Sequence, residues 1–125
     1  MATVLLIDDD EDVLRVLAEG LRSAGHAVSM GTDGSIGMKL ASEHCPEVLV
    51  TDIIMPGMEG IETIREIRRE HPGIKVVAMS GGGAVGPRSY LQLARALGAD
   101  ITLRKPFAIA DLLEAVSSLT GEEKG

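Results

Sequence analysis

The chain has 125 residues, enough for one domain with a buried core, and because apolar residues make up 45% of it but aromatics only 2%, that core must be aliphatic. A formal net charge of -7 argues against direct nucleic-acid binding, which needs a basic stripe. The single cysteine, Cys45, excludes a disulfide framework and a thiolate metal cluster, and it reads as a small buried hydrophobe. No apolar run is long enough to span a membrane, and the short apolar start reads as no signal peptide, so a cytoplasmic protein is expected.

The first strand is expected near Thr3 to Ile7, an unbroken apolar run of the kind buried on both faces of a sheet. A helix follows from about Asp10 to Ala24, with Val13, Leu14, Leu17 and Leu21 on one stripe. Asp10, Glu11 and Asp12 open it, where acids cap free N–H groups and favour the dipole. Gly25 is placed to end it in a left-handed cap. A short strand near Ala27 to Met30 comes next, then a helix near Asp33 to Glu43 that stops before Pro46. Val48 to Thr51 is the third strand. Ile54-Met55-Pro56-Gly57 is a loop, and Ile61, Ile64 and Ile67 mark a helix that ends before Pro72-Gly73. Within that helix Arg65, Arg68 and Arg69 are interrupted by Glu66 and Glu70, which reads as a solvated face.

Val76 to Met79 is the fourth strand. A glycine-rich loop, Gly81 to Gly86, precedes a helix from about Pro87 to Leu97, with proline in its first turn. Ile101 to Arg104 is the fifth strand, and a helix from about Ile109 to Leu119 carries Leu112, Leu113, Val116 and Leu119 on its apolar stripe. Strands alternating with helices predict an α/β fold, a parallel sheet covered on both faces. Residues 1–125 read as a single domain, with Gly121 to Gly125 as a free tail or the start of a linker.

Three strands run straight into chemistry. Ile7 leads to Asp8-Asp9, Thr51 to Asp52, and Arg104 to Lys105-Pro106-Phe107. In an open parallel sheet the carboxyl ends share one edge, and ligands bind in the crevice there. Three carboxylates and one ammonium therefore meet, a grouping that suits a hard divalent cation beside a phosphoryl group. One carboxylate would suffice to cap the first helix, so Asp8 and Asp9 exceed what capping requires. Lys105 can also be read as a solvated cation, although its place beside Pro106 at a strand end argues against that. Ser80 reads equally as a cap for the segment after the fourth strand. The glycines at 81, 82, 83 and 86 lack the Gly-Lys-Ser/Thr of a phosphate loop and read as a turn. His26, His44 and His71 stand at or just past helix ends, where a cation suits the dipole, and no chemistry is assigned to them.

The segments Leu6-Ile7-Asp8-Asp9-Asp10, Thr51-Asp52-Ile53-Ile54-Met55-Pro56-Gly57, Ala78-Met79-Ser80-Gly81 and Leu103-Arg104-Lys105-Pro106-Phe107 together resemble the receiver domain of two-component response regulators. Their order and spacing carry the resemblance over essentially the whole chain. It implies a flavodoxin-like doubly wound (βα)5 fold with a five-stranded parallel sheet of order 2-1-3-4-5. It also implies that Asp52 is a phosphoacceptor, since a carboxylate can attack phosphorus to form an aspartyl phosphate. The donor would be a phosphohistidine on a histidine kinase or phosphotransfer protein. Mg²⁺ would be held directly by Asp9, Asp52 and the backbone carbonyl of Ile54, with Asp8 acting through a water.

By the same resemblance Lys105 pairs with the phosphoryl group, Ser80 gives its hydroxyl to a phosphoryl oxygen, and the Lys105–Pro106 bond is cis. A downstream output protein or domain would read the face made by the helix near Pro87, the fifth strand and the last helix. Such a chain is not an enzyme in the ordinary sense, although it takes part in its own phosphorylation and dephosphorylation. Thr102 departs from the family, which often has Tyr or Phe there, so the usual aromatic switch is in question and Tyr90 is the one tyrosine that could share the signal. Two other classes compete: a pseudo-receiver that only binds, opposed by the intact set Asp8, Asp9, Asp52, Ser80 and Lys105, and a flavodoxin-like cofactor binder. The scarcity of aromatics and the missing phosphate fingerprint oppose the second.

Overall fold

In the computed structural model, residues 2–53, 60–80, 92, 95, 96 and 98–121 are described. The expectations placed on Ile54 to Gly57, the loop Gly81 to Gly86, most of the helix Pro87 to Leu97 including Tyr90, and the tail beyond Gly121 lie outside them. Five strands are present: β1 (Thr3–Ile7), β2 (Ala27–Gly31), β3 (Val48–Asp52), β4 (Lys75–Ser80) and β5 (Ile101–Arg104). They form one sheet of order β2-β1-β3-β4-β5, and all four pairings are parallel. The helices with full bounds are α1 (Glu11–Ser23), α2 (Gly34–His44), α3 (Gly60–Glu70) and α4 (Ile109–Thr120).

Period-two alternation distributes the strand side chains between two cores. Val4 and Leu6, Val48 and Val50, and Val77 and Met79 join Leu14, Leu17, Leu21, Leu112 and Val116 on the face covered by α1 and α4. Leu5, Ile7, Leu49, Val76 and Ala78 join Ala41, Ile64 and Ile67 on the face covered by α2 and α3. Both cores are aliphatic. Phe107, the one phenylalanine, packs only partly buried against the first.

Helix ends follow from local chemistry. Asp10 caps α1, accepting from the N–H groups of Asp12 at 2.9 Å and Val13 at 3.3 Å. Gly25, at φ +95°, closes it. His26 N–H donates to Leu21 O at 3.1 Å and Gly25 N–H to Arg22 O at 2.9 Å, the bond pair of a Schellman cap. Asp33 caps α2 through the N–H of Ile36 at 2.9 Å.

Three side chains depart from their expected roles. Cys45 is exposed, not buried: it sits in the left-handed region at φ 46° as the C-cap of α2, because Pro46 disfavours a further helical residue before it. His26 is buried, and its Nδ1 accepts from Ala2 N–H at 3.1 Å, so its side chain fastens the start of β1 rather than facing the end of α1. Arg68 is no solvated residue. Its guanidinium donates to Gly98 O at 2.7 Å and Ile74 O at 3.0 Å and pairs with the Asp100 carboxylate, which also accepts from Val76 N–H at 2.8 Å. One arginine thus ties α3 to the amino ends of β4 and β5. Arg68→Ala should lower the unfolding free energy by roughly 2–3 kcal/mol, because charge-assisted bonds are lost and two carbonyls lose their donor. Urea denaturation measures this; a change of under about 0.5 kcal/mol would place Arg68 with ordinary surface residues.

Candidate acidic site at the sheet edge

β1 and β3 are adjacent and parallel, with Ile7 opposite Thr51, so their carboxyl ends deliver Asp8 and Asp52 side by side. Asp8 is 1% exposed and Asp52 8%, while Asp9 faces solvent. One carboxylate oxygen from each of Asp8, Asp9 and Asp52 lies within 4.8 Å of the others. Two like charges at that spacing repel by roughly 3 kcal/mol at an effective dielectric near 20.

Lys105 answers this repulsion. Its Nζ donates to Asp8 Oδ2 at 2.7 Å and to Asp52 Oδ2 at 3.4 Å. The backbone aims it there: Lys105 N–H donates to Ser80 O at 2.8 Å, extending the β4–β5 ladder past Arg104, and the Lys105–Pro106 bond is cis. Asp8 has a second duty, since its Oδ1 accepts from Asp10 N–H at 3.0 Å and so joins the cluster to the cap of α1. Beside the lysine, Val13, Leu17, Pro106 and Phe107 line an apolar hollow of about 480 Å³.

The sequence set is therefore gathered at one edge, except that Ile54 lies outside the described residues. Asp8, Asp9, Asp52 and Lys105 are in one cluster, and Ser80 ends the neighbouring strand β4. The Ser80 hydroxyl is fully buried and has no hydrogen-bond partner among the described residues, a costly arrangement unless something else meets it. Thr102 stands on β5 opposite Ala78 and is half-buried. Sequence reasoning assigned Lys105 to an incoming group and missed its ion pair with Asp8. Placing a lysine and two carboxylates on one sheet edge was the signal.

The donor set fits a small hard cation. Three carboxylates and one ammonium leave a formal charge of -3 + 1 = -2, which a divalent ion neutralises, and oxygen ligands are what Mg²⁺ prefers.

Burial pulls the Lys105 ammonium down, but the hydrogen bond to Asp8 and the charge of Asp52 outweigh it, so its pKa lies above the ordinary 10.5. A folded value above the unfolded one means the contribution is complete below pH 10.5 and is lost as pH rises through the higher folded value. Wild-type melting temperature should therefore fall faster in that alkaline range than that of Lys105→Met, which starts lower because Asp8 is left buried and unpaired. Parallel pH profiles for the two proteins would contradict the pairing.

Comparison with known proteins places this geometry. The family model of the response regulator receiver domain matches residues 4–117. Transcriptional regulatory protein PrrA of Mycobacterium tuberculosis is 36% identical over 116 residues, 93% of this chain and 48% of the relative. Response regulator MprA of Mycobacterium leprae is 30% identical over 121 residues, 97% of this chain and 52% of the relative. The chain thus spans about half the length of these curated relatives. Among solved structures, a response regulator receiver domain protein from Clostridium thermocellum superposes with a TM-score of 0.89 at 29% identity, covering 99% of this chain and 98% of the other. A CheY-like receiver from Methanospirillum hungatei gives 0.88 at 26% identity, with the same coverage of both chains.

Proposed function

Since the chain belongs to the response regulator receiver domain family of two-component signalling, we propose that Asp52 is its phosphoacceptor and that Asp8, Asp9 and Asp52 hold Mg²⁺. One observation carries the reading: three carboxylates and a lysine from three separate strands converge at the carboxyl edge of the sheet. The Asp52 carboxylate oxygen attacks phosphorus and forms a new P–O bond. The P–N bond of a donor phosphohistidine breaks, and the freed imidazole nitrogen takes up a proton. Such transfer needs in-line placement and charge neutralisation more than covalent chemistry from the protein. A bound Mg²⁺ supplies charge neutralisation at the phosphoryl oxygens.

Lys105 is placed to meet those oxygens. Its 2.7 Å bond to Asp8 is the anchor, and the longer 3.4 Å contact with Asp52 is the one a phosphoryl oxygen replaces. The buried Ser80 hydroxyl, unpartnered among the described residues, is a further donor, and the Ile54 carbonyl is the third direct protein ligand of the metal beside Asp9 and Asp52, with Asp8 acting through a water. The same reading takes residues 1–125 as one receiver unit, with 121–125 a tail or linker start. Its partners are a histidine kinase or histidine phosphotransfer protein and a downstream output protein or domain, and its setting is the cytoplasm. The module is a phosphoacceptor that takes part in its own phosphorylation and dephosphorylation rather than an enzyme in the ordinary sense.

Incubation with acetyl phosphate and Mg²⁺ should add one hydroxylamine-sensitive phosphoryl group by intact mass, and Asp52→Asn should abolish it. Uptake by Asp52→Asn at the wild-type rate would contradict the assignment. Lys105→Ala should keep Mg²⁺ binding yet slow phosphorylation about 100-fold, the usual cost of removing one preorganised donor. Mg²⁺ at about 100 times its dissociation constant should add about 2.7 kcal/mol of stability by mass action, and EDTA should reverse it. Thermal melts that ignore Mg²⁺ would exclude the metal site.

A further inference from the structure

Ile53, the residue directly after Asp52, is held by backbone from two sides. Ile53 N–H donates to Met79 O on β4 at 2.9 Å, and Gly60 N–H, at the start of α3, donates to Ile53 O at 2.9 Å. The Asp52 carbonyl also accepts the Thr51 hydroxyl at 2.9 Å. Gly60 is buried against the Asp52–Ile53 peptide. A Cβ placed on it would fall 2.5 Å from Ile53 Cα and 2.8 Å from Ile53 O, and closer still to the Asp52 carbonyl oxygen. All three are backbone atoms, so no rotamer change relieves the overlap. A Cβ on Gly20, by contrast, would have atoms of the flexible Ile109 side chain as its three nearest neighbours. Gly60 is not among the glycines with positive φ, and alanine is the better helix former. Its lack of a side chain is therefore needed for closeness rather than for conformation.

We propose that Gly60 is a positioning residue for Asp52, the contact through which the start of α3 fixes where the acceptor carboxylate stands against Asp8, Asp9 and Lys105. The inference rests on Asp52 being the phosphoacceptor and deepens that reading. A methyl group at position 60 must push the Asp52–Ile53 peptide away from α3. The cluster it serves is tight, with Asp52 Oδ2 3.4 Å from Lys105 Nζ. A misplacement of about 1 Å at a reacting group costs on the order of 100-fold in rate.

The test compares wild type, Gly60→Ala and Gly20→Ala. Initial phosphorylation rates are read by intact mass across acetyl phosphate concentrations with Mg²⁺, Mg²⁺ affinity by calorimetry, and folding by circular dichroism. Gly60→Ala should stay folded, lose about 100-fold in the rate at saturating donor, and bind Mg²⁺ about 10-fold more weakly. Gly20→Ala should keep both wild-type values. A Gly60→Ala protein with wild-type rate and Mg²⁺ affinity overturns the proposal, as does an equal loss in both variants, which marks general packing. If wild type takes up no phosphoryl group, the phosphoacceptor reading fails by itself, and Mg²⁺ affinity alone decides the role of Gly60. If Gly60→Ala does not fold, the wild-type amide resonances decide: Mg²⁺ should shift that of Gly60 and leave that of Gly20 in place, and an unmoved Gly60 overturns the inference.

Discussion

Three carboxylates within 4.8 Å of one another repel strongly, and the edge of the sheet where they meet is organised around that repulsion. Lys105 offsets part of it, and its ammonium comes from 97 residues along the chain from Asp8. It arrives only because β5 pairs with β4 and the ladder continues through Lys105 N–H to Ser80 O. The residual negative charge suits the cluster to a divalent cation.

The opposite edge does the reverse. There, at the amino ends of β4 and β5, Arg68 and Asp100 satisfy one another and also the backbone of Gly98, Ile74 and Val76. Between the edges, two aliphatic layers fix the strands, with β3 buried along its whole length. A fully buried central strand with a tied base sets where Asp52 stands at the edge, which is what the proposed in-line transfer requires.

Much of this was legible from the residues because the signals were local. Apolar runs ending in Asp marked β1 and β3, the short Ile101-Thr102-Leu103-Arg104 segment before Lys105-Pro106 marked β5, and apolar stripes at helical spacing marked α1, α3 and α4 to within a residue or two. The strand order needed the family resemblance, since periodicity does not say which strands are neighbours. The roles of Cys45, His26 and Arg68 were not legible. Each depends on a partner distant in sequence or on a cap geometry: Pro46 redirects Cys45, Ala2 meets His26, and Asp100 reaches Arg68 across 32 positions. Arg68 carried a weak signal, lying four residues after buried Ile64 and so beside the apolar stripe. The Lys105–Asp8 pair was hidden for another reason: residue types predicted a meeting at the edge but not which charge would pair with which.

The central claim is that Asp52, of all the acids gathered at this edge, is the one that takes the phosphoryl group. Borohydride reduction of the freshly phosphorylated protein converts an aspartyl phosphate to homoserine, and peptide sequencing by mass spectrometry then locates it. Homoserine at position 52 alone is the predicted result. Homoserine at position 8 or 9, or none in a protein that has gained a phosphoryl group, would contradict it.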